Sequence, residues 1–431
     1  MKNVVLITLD SLRADHCGYA GYERATTPTI DRLASEGVAF ENAVASSVPT
    51  VVSMAGVHTG EYPLASPQIG FTGEQREEVM SRQTIAEVLS EAGYATGALS
   101  PNPPASSFFG FDQGFNWFED FLAKDRGVLE RLQSRIFERS IQGGDVATYL
   151  RLLRNLVQRK EVLQPWEDFY DEIMAWRERV EEPYFLWVLL LDTHHPWLPP
   201  TEVQEWSSRT DKYRAFHHYW QMMGSGWKPD FDRATRQRLI DLYDDSTRYA
   251  DQFVRQLQSD LNNDDPAFVI HADHGEEFGK HGRYGHQPYL YEDLIHVPLV
   301  LGNVDRTACV ETPVGLRSIA PTISDIAGVE NPFTGKSLLG TPATPWEVSK
   351  VFADGERRLS VRTRPGKYMQ DGEGKRLYDL QDDPDEQADI AGDESDAVGA
   401  FGSVSDHHVA AEQERRSIRR SVDQITQEGQ L

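Results

Sequence analysis

The sequence predicts an α/β protein built on a mostly parallel sheet, and three observations carry that expectation. Val4–Leu9 is an unbroken apolar, β-branched run of the kind a strand buried on both faces needs. Apolar runs of strand length recur along the chain, with helix-periodic segments between them. The 431 residues exceed what one small core requires, and the 39% hydrophobic fraction is low but still globular.

Taken in order, residues 29–37 space Ile30 and Leu33 at helical intervals, and a glycine ends the pattern. Residues 84–93 repeat it, with Thr84 as N-cap and Ile85, Val88 and Leu89 on one face. Ala95–Leu99 reads as the second strand, and 184–191, Ala267–His271 and 297–301 as further strands. Helical periodicity covers about 126–160, 165–180 and 234–260. The main unit is expected over 1–330. Residues 329–349 are rich in Pro, Gly and Thr and predict a linker to a smaller unit, 345–395, with short strands at 350–353 and 359–362. The tail, 396–431, is polar; 404–425 predicts an exposed helix with little to bury. No internal repeat is present.

Charge narrows the partners. Forty-three Lys and Arg stand against 68 Asp and Glu, a net charge of −25, so nucleic acid and anionic membranes are excluded as main partners by like-charge repulsion. Only ten of the basic residues are Lys. An acidic, lysine-poor surface suits concentrated salt, where screening removes self-repulsion; an ordinary acidic protein is the alternative. Cys17 and Cys309 alone build neither a disulfide framework nor a cysteine zinc site. The longest apolar stretch, 185–191, falls far short of the ~20 residues that cross a bilayer. Met1-Lys2-Asn3 before an apolar run imitates a signal peptide, but no small-residue cleavage site follows and Asp10 comes at once. A cytoplasmic location is expected.

In such sheets chemistry sits at the carboxyl ends of strands. Asp10 and Ser11 follow the first strand, Asp192, Thr193, His194 and His195 the 184–191 strand, and Asp273 and His274 follow Ala267–His271. In Asp273-His274-Gly275-Glu276, glycine lets the backbone turn closely so that Asp and His both reach a metal. Oxygen ligands with one imidazole suit Ca²⁺, Mg²⁺, Mn²⁺ or Zn²⁺. Alone, D-H-G is equally a polar strand-end loop. Joined to Asp10 and the D-T-H-H-P loop, it points to a metal centre.

The ordered series of motifs resembles the sulfatase family of the alkaline phosphatase superfamily over nearly the whole chain. NVVLITLDSLRADHCGY resembles the family's first strand and metal loop, and ATTPTIDRLASEGVAFENAVASS with HTGEYP its nucleophile region. WVLLLDTHHPWLPP is similar to the substrate loop, VIHADHGEEFGKHGRYGHQPYLYEDLIHVPLVL to the second metal loop, and RLYDLQDDPDEQADIA to the C-terminal signature. The resemblance implies an alkaline-phosphatase-like three-layer αβα sandwich with a mostly parallel sheet and a small C-terminal α+β subdomain. It implies a divalent metal, calcium first, on Asp10, Asp273 and His274. Where relatives carry a second acid this chain has Ser11, which is either a neutral ligand or a turn cap.

The family's nucleophile lies in a C/S-x-P-x-R segment ten residues before the Gly of a Thr-Gly pair, where Cys or Ser is oxidised to formylglycine. Counting back from Gly60 gives Thr50; the S-x-P-x pattern itself falls on Ser47. Neither keeps the Arg four residues on, since Met54 and Val51 stand there. A Thr would oxidise to a ketone, so Thr50 would attack directly, as in the phosphatase and phosphodiesterase branches. The resemblance gives His194 to the substrate oxygens or the leaving alcohol, with His195 as a neighbour. His286 falls near the transferring group, and His281 in G-K-H-G is a second candidate. Asn102, in S-P-N-P, either binds substrate or makes a turn. His217, His218, His407 and His408 match nothing and are expected at the surface. Arg13 is a candidate for making the pocket positive. The expected substrate is a small-molecule or carbohydrate sulfate or phosphate ester, cleaved by in-line displacement. Three readings stay open: a sulfatase with modified Ser47, a phosphoester hydrolase or transferase with Thr50 and a second metal near Asp192, His195 and His286, and a non-catalytic relative. Oligomeric state is not legible.

Overall fold

The computed structural model describes residues 1–62, 82–120, 165–340 and 344–427. The helix expected over 126–160 lies outside them. The core is an eight-stranded sheet of β1 (Val4–Leu9), β2 (Val38–Phe40), β3 (Ala95–Leu99), β4 (Trp117–Glu119), β5 (Tyr184–Leu190), β6 (Ala267–His271), β7 (Leu299–Gly302) and β8 (Ala308–Val310). Their order is β8-β2-β7-β6-β1-β5-β3-β4. β1 is central, in parallel register with β5 (Val4↔Phe185) and β6 (Val4↔Ala267). Every residue of β1, β5 and β6 is buried, as their continuous apolar runs require.

Helices cover the sheet. α1 (Pro28–Glu36), α4 (Glu167–Arg179) and α6 (Arg233–Asp260) form one layer, with Phe169 and Tyr170 of α4 against Phe253 of α6. α2 (Thr50–Thr59), α3 (Ile85–Glu91) and α7 (Ile319–Ala327) pack together as the other; α5 (Arg209–Gly224) lies on α6. Thr84 caps α3 in a reciprocal capping box with Glu87. Asp251 of α6 accepts from the Thr29 and Ile30 amides and so caps α1 from across the layer.

The sequence reading missed the hand of one strand. Pro298 interrupts the 297–301 run, and β7 runs antiparallel to both its neighbours, against the direction of the other seven strands. The C-terminal unit also carries more than two short strands. β9 (Trp346–Ala353), β10 (Glu356–Thr363), β11 (Gly366–Asp371) and β12 (Gly374–Asp379) form an antiparallel meander. Asp354 and Gly355, at φ 55° and 80°, make its first two-residue hairpin turn, the D-G signature of such turns. Val351, Met369 and Tyr378 join the main core, while Val348, Leu359, Val361, Tyr368 and Leu377 form a second cluster.

That second cluster corrects the reading of the tail as an exposed helix. α8 (Ser395–Gln427) lays Val398, Phe401, Val404 and Val409 on the meander, with Phe401 stacked on Tyr368. Its His408 ring is half-buried against Tyr62, whereas His407 is exposed. The meander is tied to the main unit by charge: Lys367, fully buried, lies 3.1 Å from Glu292 and 2.7 Å from Glu386 of the D-D-P-D-E-Q motif.

Beneath the sheet's site edge, His58 of α2 is buried among Trp187, Phe111 and Phe115, its ring 4.3 Å from Trp187. Burial, with His271 nearby, holds His58 down to about 3. The unfolded chain takes up a proton near pH 6.5 and the folded chain does not, so stability falls as pH drops through that window. Exchanging His58→Phe is expected to lessen the stability loss between pH 7 and pH 5 by about 2 kcal/mol. Urea denaturation of both proteins at the two pH values measures it, and equal losses refute the assignment.

Candidate functional site

Four neighbouring parallel strands, β6, β1, β5 and β3, end at the same edge and deliver the polar residues there. Asp10, Asp273 and His274 are fully buried, and each offers a ligand atom within 4.8 Å of the others. Gly275 permits the approach: a Cβ there would fall 2.1 Å from the Asp293 carbonyl oxygen. Asp273 Oδ1 accepts from the Ser11 amide (3.1 Å) and the His274 amide (2.9 Å), and Ser53 Oγ holds the Asp273 carbonyl at 2.7 Å. Its Oδ2, also buried, has no hydrogen-bond partner among the described residues.

Asp10 is held as firmly. Ser11 Oγ donates to its Oδ1 at 2.8 Å, Asn102 Nδ2 donates to its Oδ2, and Thr193 Oγ1 donates to its carbonyl. Ser11 takes a left-handed φ of 63° to do so, which places the strain at the site. Its hydroxyl is therefore engaged on Asp10 rather than capping a turn. Asn102, expected to bind substrate or make a turn, heads the 103–105 turn, its carbonyl accepting from the Ala105 amide at 2.9 Å, and its side chain orients this carboxylate. Burial, with the Asp273 carboxylate alongside, pushes Asp10 up to about 7. Two buried carboxylates facing each other, one with an orphaned oxygen, and an adjoining imidazole nitrogen fit a hard divalent cation.

Thr50 is the first residue of α2 and is 7% exposed. Its Oγ1 lies 3.1 Å from His274 Nε2. The other nitrogen, His274 Nδ1, meets the Gly275 carbonyl at 3.0 Å and so carries the proton, leaving Nε2 bare toward Thr50. Ser47 Oγ, three residues before the helix, is buried without a hydrogen-bond partner among the described residues.

His194, His195 and His286 form a second group beside the first, their ligand nitrogens also within 4.8 Å of one another. The His286 ring is 4.6 Å from that of His274. Glu276 Oε2 accepts from His195 Nδ1 (3.1 Å) and from His286 Nδ1 (3.2 Å). His194 Nδ1 donates to the His195 carbonyl at 2.6 Å. Burial, reinforced by His286, lowers His194 to about 4, and burial with His194 alongside lowers His195. Although burial opposes it, His195 and His286 hold Glu276 below the usual carboxylate range. Sequence reasoning gave Glu276 no role, although its place two residues after His274 was visible.

Other expectations fall elsewhere. Asp192 faces Glu167, is raised to about 7 by burial and that charge, and belongs to neither group; His194 takes the place foreseen for it. The His281 ring stacks on Tyr291 at 3.6 Å, outside both groups. Arg13 is not a pocket cation: its guanidinium binds Asp15, Asp293 and the Glu276 carbonyl, bracing the loop that carries Asp273 and His274. His217 is exposed and His218 half-buried on α5.

A parallel-centred αβα sandwich with buried acids and imidazoles along its carboxyl edge is the architecture of the alkaline phosphatase superfamily. A family model described as Sulfatase matches residues 2–329, and the chain belongs to that family. It is 24% identical to an arylsulfatase of Clostridium perfringens, over 91% of this chain and 90% of that one. Among solved structures, a 2-O GAG sulfatase superposes with a TM-score of 0.70 at 18% identity, covering 96% of this chain and 94% of the other. The phosphonate monoester hydrolase of Agrobacterium radiobacter does so at 0.67 and 18%, covering 96% of each. The chain is a hydrolase of the sulfuric ester type by family, with a separate small antiparallel unit at its C-terminus. No helix among the described residues is long and apolar enough to cross a membrane.

Proposed function

We propose that this protein is a metal-dependent hydrolase that cleaves a sulfate or phosphate ester through a covalent intermediate on Thr50. The observation that carries the reading is the Thr50 hydroxyl, 3.1 Å from the bare Nε2 of His274, within the buried Asp10, Asp273 and His274 group. Those three residues would hold the cation, Ca²⁺, Mg²⁺ or Mn²⁺ by their oxygen-rich set. When bound, it would supply charge neutralisation at the ester oxygens and acidify the Thr50 hydroxyl.

The chain's own residues do the rest. Ser11 and Asn102 fix Asp10, so the carboxylate costs no reorganisation as the reaction proceeds. The positive end of α2 lies at Thr50 and favours the negative charge that develops there. His274, with its proton on Nδ1, would give its one free lone pair, Nε2, to the cation, and the 3.1 Å from that nitrogen to Oγ1 puts the Thr50 hydroxyl beside the same cation. Attack by Thr50 Oγ1 breaks the ester bond, and the proton given up by Thr50 ends on the departing alcohol; water then attacks the intermediate, releases the anion and restores the Thr50 hydroxyl. Unlike Ser or Cys, Thr50 cannot be oxidised to an aldehyde, and the Arg expected four residues later is Met54. Both features favour phosphate over sulfate as the group transferred. The alcohol is a small molecule or carbohydrate.

Aryl sulfates, phosphates and phosphonates offered after divalent-metal loading, with acid quench and peptide mass spectrometry over residues 40–62, test this. The expected result is a phosphoryl or sulfuryl adduct on Thr50 and unmodified Ser47. An aldehyde at Ser47, or an adduct placed there, overturns the assignment.

A further inference from the structure

We propose that Trp227 and Tyr219 form the subsite for the alcohol of the ester, and that this alcohol is a sugar ring. The proposal rests on the hydrolase reading above and adds the group on which it acts. Trp227 takes a left-handed φ of 66°. For a bulky residue that conformation is an outlier, which glycine would relieve. Two backbone hydrogen bonds hold it: the Trp227 amide donates to the Met222 carbonyl of α5 (2.6 Å), and the Trp227 carbonyl accepts from the Tyr284 amide (2.9 Å). Gly285 makes the room, since a Cβ there would fall 2.6 Å from the indole Cε3. The indole is thereby clamped between α5 and the residue before His286. Strain kept on a large side chain beside reacting groups points to a task for that side chain.

A row of rings joins it to the nucleophile. From His274, beside Thr50, centroids step 4.6 Å to His286, 4.7 Å to His195 and 4.9 Å to Trp227. Tyr219 stands 5.3 Å from His195 and 6.0 Å from Trp227, its plane at 69° to the indole, so the two do not close on each other as a stack. His274 is fully buried, His195 is 7% exposed, and Trp227 and Tyr219 are half-buried, so the row runs from the nucleophile toward the surface. An in-line displacement sets the departing alcohol on the far side of the transferring group from Thr50 Oγ1, and the row leads away from Thr50. The fully buried indoles of Trp187 and Trp197 donate to Thr8 Oγ1 and the Thr193 carbonyl. By contrast, among the described residues neither Trp227 Nε1 nor Tyr219 Oη makes a hydrogen bond, and both atoms are open to solvent. Aromatic faces with unused donors suit a pyranose: its C–H face lies on a ring, and its hydroxyls accept from Nε1 and Oη. An aryl alcohol would gain the ring contact alone, and an acyclic alcohol neither.

The full-length, metal-loaded protein is assayed with three esters of the same acid: a hexopyranose 6-ester, the phenyl ester and the methyl ester. Trp227→Ala is expected to lower the ratio of kcat/KM for the sugar ester to that for the methyl ester about 10-fold or more, through KM. Trp227→Phe keeps a ring and is expected to retain most of that ratio. Trp227→Gly removes the ring yet suits the left-handed backbone, so it reports where the alanine variant fails to fold and is expected to show the same loss. Tyr219→Phe keeps the ring without the hydroxyl, and is expected to cost the sugar ester about 3- to 10-fold and the phenyl ester less than about 2-fold. A ratio that Trp227→Ala and Trp227→Gly leave unmoved overturns the subsite; equal losses on the sugar and phenyl esters in Tyr219→Phe overturn the sugar assignment. Calorimetric binding of the sugar ester to Thr50→Val, with and without Trp227→Ala, needs no turnover. Weaker binding in the double variant supports the subsite even where the adduct falls on Ser47, and equal affinity overturns it, so the two failures are separable.

Discussion

Thr50→Val is expected to lower kcat/KM by about 10³-fold or more, the scale on which removal of a covalent nucleophile acts. Valine matches the threonine shape, so the start of α2 keeps its packing. What is lost is one hydrogen bond to His274, about 1 kcal/mol of stability. Thr50→Ser keeps an oxygen at the same backbone position and is expected to retain most activity. Ser47→Ala, on a hydroxyl with no hydrogen-bond partner among the described residues, is expected to change kcat/KM little. Steady-state kinetics on the best ester from the substrate screen, with melting curves for each variant, separates these outcomes. Near-native activity in Thr50→Val together with collapse in Ser47→Ala would transfer the chemistry to Ser47.

How far the sequence could reach follows from the range of each interaction. β1, β5 and β6 announce themselves because burial on both faces demands unbroken apolar runs, and the residues after them are the site by the geometry of parallel sheets. Asp10, Asp273 and His274 were thus legible together, whereas Thr50, at the start of α2, came only from the spacing that the family resemblance implies. The antiparallel hand of β7 was not, because a four-residue apolar run carries no direction. Nor were the employments of Asn102, Arg13 and Glu276. Asn102 meets Asp10 across 92 residues and Arg13 meets Asp293 across 280, pairings that no local pattern encodes. The tail helix misled for a different reason. Its stripe at Val398, Phe401, Val404 and Val409 is narrow, and its partner surface exists only once the meander has formed.

Asp273→Asn is expected to stabilise the metal-free protein and to abolish most of its response to calcium. Asn retains an oxygen for the Ser11 and His274 amides, so the backbone contacts persist. It removes one of two buried negative charges, whose repulsion is on the order of 3 kcal/mol at an effective dielectric of about 20. The sign with pH follows from Asp10, raised in the folded state to about 7 from an unfolded value near 3.8. Between those values the folded chain binds the extra proton, so metal-free stability falls as pH rises and is lowest above pH 7. The advantage of Asp273→Asn in chelator should therefore be clear at pH 8 and small at pH 5. Calcium at a hundred times its Kd is expected to stabilise the unaltered protein by about 2.7 kcal/mol and the variant by close to none. Turnover should fall by at least about 10²-fold, beyond what loss of an outer-shell partner causes. Calcium is the informative ion because imidazole-only ligation takes it poorly, which isolates this group from the histidines. Thermal melts in chelator and in calcium at the two pH values decide the matter. A variant that is less stable than the unaltered protein in chelator at pH 8, or that keeps its calcium response, would mean that Asp10 and Asp273 do not share a cation.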